Sequence, residues 1–130
     1  MTVATMLSQA PAMGVLPVED YARAKAFWQE KIGYEVEDMP DQEGVGAIKA
    51  GGGTQVLLYT RERTKAEHTA LGLLVDDIKG AVADLQSRGV EFEAYDFPGL
   101  KTENGIAWMG ETGSAWFIDT EGNTISITQM

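Results

Sequence analysis

Cysteine is absent from the 130 residues, and histidine occurs once, at position 68. The first absence excludes disulfide scaffolds, thiolate zinc sites and cysteine nucleophiles. The second leaves no pair of imidazoles within one chain to share a metal. Basic side chains are scarce, with 10 Lys and Arg against 20 Asp and Glu, for a net charge of -10. Such a surface repels phosphate backbones and anionic headgroups, so nucleic acid and membrane surfaces are not expected as partners, and cationic ligands are favoured over anionic ones. No apolar run approaches the roughly 18 residues of a membrane span. Residues 1–6 lack the charged region of a secretory signal, and the expected location is the cytoplasm. What is present, 44% hydrophobic residues, suits one compact domain.

Residues 1–11 carry no usable period and are expected as a tail or first strand. Residues 13–18 are extended by composition, with Pro17 marking an edge strand. Asp20 then stands where an N-cap belongs, and Tyr21, Ala24, Phe27, Trp28 and Ile32 recur at helical steps up to Gly33, for a helix of about 12 residues. Three short strands separated by turns follow, over residues 34–37, 45–50 and 54–60. The second half repeats the order. Residues 71–75 predict a strand, Asp77 a cap, and Ile78, Ala81, Val82 and Leu85 a helix stopping at Gly89. Strands are then expected over 90–95, 106–109, 114–119 and 124–128. Aligning Val18-Glu19-Asp20-Tyr21 with Val75-Asp76-Asp77-Ile78 reveals two β-α-β-β-β modules of about 55 to 60 residues each. One module alone would leave a sheet face bare, so two must pack together.

Several local features have mundane readings. Gly51-Gly52-Gly53 precedes a strand and no helix, which marks a hairpin turn and not a phosphate loop. The carboxylate pairs Glu19-Asp20 and Asp76-Asp77 sit at helix starts and are explained by capping. No Ser-His-Asp arrangement has recognisable context. Tyr59, Trp108 and Trp116, with Met13 and Met109, are candidates to line a pocket that stacks on a flat or cationic ligand. Trp116 alternates with Phe117, so only one of them points inward. Residues 98–105 form a long polar loop, read as a connection or a lid.

Pro17-Val18-Glu19-Asp20, Arg23-Ala24-Lys25-Ala26-Phe27-Trp28 and Ile32-Gly33-Tyr34, then Val75-Asp76-Asp77-Ile78 and Gly89-Val90, and finally Phe117-Ile118-Asp119-Thr120-Glu121-Gly122-Asn123, together resemble the vicinal oxygen chelate superfamily. That superfamily comprises the glyoxalases, bleomycin-resistance proteins and extradiol dioxygenases. Thr120 replaces the family's usual proline. The resemblance implies an α+β fold of two βαβββ modules, about residues 12–60 and 68–128 of a single domain, whose mixed sheets curl around a cavity, commonly in a homodimer. Relatives usually hold a divalent metal there through two His and two Glu. The corresponding positions fall on Met13, Leu57, Ala70 and Ser126. None of these suits a hard divalent ion, so no metal and no cofactor is expected. A register shift of two residues would bring His68 to the position of Ala70. His68 is otherwise a solvated residue at a strand start, or a hydrogen-bonding or basic group of the pocket.

The expectation is therefore a small-molecule binding protein of the bleomycin-resistance type, with Met13, Leu57, Tyr59, His68, Ala70, Trp108 and Ser126 lining the pocket. The alternative is a metal-dependent lyase, epimerase or dioxygenase.

Overall fold

The computed structural model describes residues 6–64 and 67–130. Residues 1–5 of the expected tail, and Lys65 and Ala66 of the polar run before His68, lie outside the described residues.

In the first half, β1 (Gly14–Val18) leads into α1 (Tyr21–Ala26), followed by β2 (Glu35–Asp38), β3 (Val45–Lys49) and β4 (Gln55–Thr60). In the second, β5 (Thr69–Leu74) leads into α2 (Ile78–Ser87), followed by β6 (Asp96–Phe97), β7 (Leu100–Lys101), β8 (Ala107–Met109), β9 (Thr112–Ile118) and β10 (Thr124–Gln129). The two main sheets have the same plan, β1-β4-β3-β2 and β5-β10-β9-β8, each with its first strand parallel to its last. β6 and β7 form a separate two-stranded hairpin.

Both helices start where the sequence puts a cap. The Asp20 carboxylate accepts a hydrogen bond from the Arg23 amide at 3.1 Å, and Asp77 does the same from the Gly80 amide at 3.1 Å. Each satisfies an amide that the first helical turn leaves without a partner. The expected single helix after Asp20 changes character midway: residues Phe27–Ile32 continue α1 as a π-helical turn. The Trp28 carbonyl accepts from the amides of both Gly33 and Tyr34 at 3.0 Å, and Gly33 closes the turn at φ 95°. The wider turn seats Trp28, which is fully buried, against Tyr34 in a stacked pair at 6.3 Å.

The helices cover one face of each sheet and share a single core. Leu16, Val18, Ile48, Val56 and Leu58 of the first sheet and Ala115, Phe117, Ile125 and Ile127 of the second are buried under Ala24 and Trp28 of the first helical segment and Ile78, Val82 and Leu85 of α2. Phe117 joins the halves, with ring centroids 6.1 Å from Phe27 and 5.8 Å from Phe92. Of the alternating Trp116 and Phe117, Phe117 is the one in the core. The β9–β10 turn adds a polar junction, in which Glu121 and Asn123 reach the first half at Asp20 and Pro17.

One expected strand is interrupted. Residues 90–95 pair with β9 only at Phe92, opposite Phe117, and β8 takes over the same edge further along at Trp108 opposite Gly113. Pro98 and Gly99 turn the intervening chain into the β6–β7 hairpin, with Gly99 at φ 84°. The edge of the second sheet is thus built from two pieces where the first sheet uses β2 alone.

Candidate functional site

Since the helices bury one face of each sheet, the other face is the candidate site. In the first module it carries Val15, Leu57 and Ala47 in one cross-strand row and Pro17, Tyr59 and Val45 in the next. In the second it carries Gly72, Ser126 and Trp116 in one row and Leu74, Thr128 and Ser114 in the next. The Ser114 and Thr128 hydroxyls are 3.0 Å apart and share a hydrogen bond. β1 and β5 adjoin where the modules meet, and a Cβ on Gly14 would lie 3.2 Å from the Leu71 side chain. Much of this face is apolar and in contact with water: Val15 is 49% exposed and Leu74 75%.

Of the seven residues singled out from sequence, four fall on this face or in phase with it. Leu57 and Tyr59 are half-buried on β4, and Ser126 is half-buried on β10. Met13, exposed just before β1, is in phase with Val15. Ala70 is exposed on β5 at a bulge, because Thr69 pairs with Thr124 and Leu71 with Ile125, leaving Ala70 between them. A bulge is where counting along a strand misplaces a side chain by one residue. His68 is exposed immediately before β5. Trp108 lies on the opposite, helix-covered side. A Cβ on Gly113 would meet its ring at 2.8 Å, and the Lys79 ammonium of α2 stands 5.9 Å from the ring centre. Trp108 therefore does not share a face with Ser126. A three-residue strand after a long loop cannot be phased from its sequence, which is why the placement differs.

Two residues that sequence reading left out reach the open face from the hairpin. Tyr95 meets Trp116 edge to face at 5.4 Å and stacks on Phe97 at 5.6 Å. Their i, i+2 spacing ahead of Pro98-Gly99 was the available signal. Burial, with the neighbouring Glu93 carboxylate, raises the Tyr95 phenol above its usual range.

A cavity of about 480 Å³ opens at the junction of the modules, bordered by Gly14, Tyr34, Val56 and residues 71–74. Its size falls in the range of small-ligand pockets, roughly 300–1,000 Å³. A larger, shallower groove of about 660 Å³ runs past Glu19, Asp20, Arg23 and Glu43. There Asp20 caps α1, Glu19, Asp20 and Arg23 donate to Glu121, and Thr60 Oγ1 donates to the Gly44 carbonyl at 2.7 Å. The buried Glu121 side chain accepts hydrogen bonds from the amides of Glu19 (2.9 Å) and Asp20 (2.8 Å), from Arg23 Nε (2.8 Å) and Nη2 (3.1 Å), and from Thr120 Oγ1 (2.8 Å). Burial opposes its ionisation, but these donors together outweigh burial and hold the carboxyl down at about 2. Its neighbour Asp119 accepts from the amides of Glu121 and Asn123 and from Asn123 Nδ2, and burial, the larger effect, raises its pKa. These two carboxylates build a junction and do not face the open sheet.

A divalent metal does not fit the four positions at which the resemblance places ligands. Met13, Leu57, Ala70 and Ser126 offer a soft thioether, two hydrocarbon side chains and a hydroxyl, whereas first-row divalent ions take imidazole, carboxylate or thiolate. Among the described residues no group of three or more His, Asp or Glu is arranged to hold an ion. No helix among them is long and apolar enough to cross a membrane.

Comparisons with known proteins agree with this fold. A sequence model of the Glyoxalase/Bleomycin resistance protein/Dioxygenase superfamily matches residues 10–127. An uncharacterized protein of Bacillus subtilis (strain 168), YetH, is 28% identical over 94 residues, covering 67% of this chain and 78% of its own length. A glyoxalase/bleomycin resistance protein from Streptomyces sp. CB03234 is similar in structure with TM-score 0.67 and 25% identity, over 90% of this chain and 97% of that one. TnmS3, an antibiotic binding protein from the same organism, superposes with TM-score 0.63 at 22% identity, over 93% and 97% of the two chains.

Proposed function

Because this chain belongs to the Glyoxalase/Bleomycin resistance protein/Dioxygenase superfamily, we propose that it binds a small organic molecule, cationic or aromatic, on the open faces of its two sheets. Binding there uses no metal, and the working form is a cytoplasmic homodimer. The observation that carries this reading is the identity of Met13, Leu57, Ala70 and Ser126, which supply apolar contact and one hydroxyl at the positions where the resemblance implies metal ligands. Sequestering a ligand requires shape and contact area and no reacting group, which such a surface can provide. A fold neighbour described as an antibiotic binding protein supports the same use of this architecture. The net charge of -10 favours a cation. The apolar area left in water around Met13, Val15, Leu74 and Ile118 supports a second copy closing part of the cup.

The test is a thermal-shift titration of metal-stripped protein with Ni²⁺, Zn²⁺, Mn²⁺, Fe²⁺ and Co²⁺. A site occupied at 100 times its dissociation constant adds about 2.7 kcal/mol to native stability. No shift with any ion is the expected result. A saturable shift that disappears in His68→Ala refutes metal-free binding and directs attention to lyase, epimerase and dioxygenase assays. Sedimentation velocity tests the dimer; a monomer at every concentration refutes that part.

A further inference from the structure

We infer that the cavity at the junction of the modules is a second ligand site, separate from the open faces, and that it takes an uncharged primary carboxamide carried on an apolar body. The internal repeat supplies the reason. Gly14 pairs with Val56 and Val56 with Ile48, as Leu71 pairs with Ile125 and Ile125 with Phe117. In this correspondence Pro17 of β1, opposite Tyr59, matches Leu74 of β5, opposite Thr128. Thr54, which precedes β4, matches Asn123, which precedes β10.

The two ends of the seam are finished differently. At one end the Asn123 carboxamide, 1% exposed, donates to the Pro17 carbonyl at 2.9 Å, and Glu121 takes the amides of Glu19 and Asp20. At the other end the turn is Gly51-Gly52-Gly53, which has no side chains to offer, and the exposed Thr54 turns its hydroxyl back to the Gly51 carbonyl at 2.6 Å. No side chain among the described residues donates to the Leu74 carbonyl. The cavity of about 480 Å³ opens there, bordered by Gly51, Thr54 and Leu74. It occupies the place that residues 120–123 fill at the opposite end.

The walls set the rest of the ligand. Val56 belongs to the shared core, Leu71, Leu73 and Tyr34 pack against it, and the Tyr34 ring is backed by Trp28. None of the lining residues is charged, in a chain where 23% of residues are. An ion moved there would give up its water without gaining a counter-charge, whereas a neutral amide gives up less and recovers it in hydrogen bonds. A carboxamide is also the group with which the other end of the seam satisfies the matching carbonyl.

Isothermal titration with one matched series tests this: phenylacetamide (neutral), phenylacetate (anionic), phenethylammonium (cationic) and N,N-dimethylphenylacetamide, which has no N–H. Phenylacetamide should bind tightest, with each charged probe weaker by about tenfold or more. The dimethyl amide should bind about fivefold more weakly, for want of a donor to the Leu74 carbonyl. Thr54→Asn introduces the side chain that the other end uses, and Ala12→Trp fills the cavity from an exposed bordering residue. Each should weaken phenylacetamide about tenfold with far-UV circular dichroism unchanged, while Leu57→Trp on the open face stays within about twofold. Affinity that survives Thr54→Asn and Ala12→Trp but is lost in Leu57→Trp places the probe on the open face, which overturns this site and leaves the proposed function standing. A charged probe that binds as tightly as phenylacetamide overturns the selection for a neutral ligand. No saturable heat from any probe at about 10 mM overturns the inference outright, and the metal titration remains the separate test of the proposed function.

Discussion

Replacing Glu121 by Gln should cost this protein about 2 kcal/mol at neutral pH, and the cost should fade in acid. The side chain is fully buried, and it receives two backbone amides and the Arg23 guanidinium from the other module. Its carboxyl is held at about 2 against an ordinary 4.5. That difference corresponds to about 3 kcal/mol, reduced to about 2 because the Arg23 side chain is half exposed and water screens the pair. A carboxylate with a lowered folded pKa contributes fully above its unfolded pKa and loses that contribution as pH falls through the folded value. The difference between wild type and Glu121→Gln should therefore be complete above about pH 5 and less than half as large near pH 3. Urea unfolding at pH 7, 5, 4 and 3 measures it, and a midpoint lower by roughly 6–10 °C in a neutral thermal scan accompanies it. A difference under about 0.5 kcal/mol at pH 7, or one equally large at pH 3, refutes the reasoning.

Three further substitutions probe the scaffold. Gly46→Ala would press a methyl onto the Tyr21 hydroxyl, which donates to Asp38 at 2.6 Å, and should destabilise by about 2 kcal/mol; Tyr21→Ala in the same chain should remove most of the added penalty, and simple additivity in urea unfolding would contradict the clash. Asp20→Ala and Asp77→Ala should each cost about 1 kcal/mol by losing one cap, seen as reduced stability with unchanged helical circular dichroism. Phe117→Ala removes the ring that joins both halves and should cost about 3–5 kcal/mol, with one cooperative transition retained because the core is shared.

Local signals were legible in the sequence wherever a residue's environment is set by its neighbours along the chain. Asp20 and Asp77 cap the helices as their spacing indicates, and the repeat of a strand, a helix and strands in each half reflects a periodic apolar pattern that tertiary packing did not override. The π-helical turn at Phe27–Ile32 was not legible, because a bifurcated bond to one carbonyl leaves the three- and four-residue steps nearly intact. Glu121 reads as a turn residue, since the amides it satisfies lie 101 and 102 residues away. The candidate site divides the same way. Leu57, Tyr59 and Ser126 sit on regular strands whose faces follow from alternation, whereas Ala70 lies at a bulge and Trp108 on a short strand whose phase depends on the preceding loop.

The seam between the sheets has a dynamic consequence. β1 and β5 adjoin as edge strands of separate ladders, so each has hydrogen-bonded neighbours on one side only. The modules are held together there by side chains and by the β9–β10 turn, and not by a continuous ladder. Amide exchange should accordingly be striped: slowest in β4 and β10, which are paired on both sides, and faster for the amides of β1 and β5 that face the seam. A tilt of one half against the other would break no strand-to-strand hydrogen bond at this seam, so resistance to it comes from the shared core and from the Glu121 and Asn123 contacts with Glu19, Asp20 and Pro17.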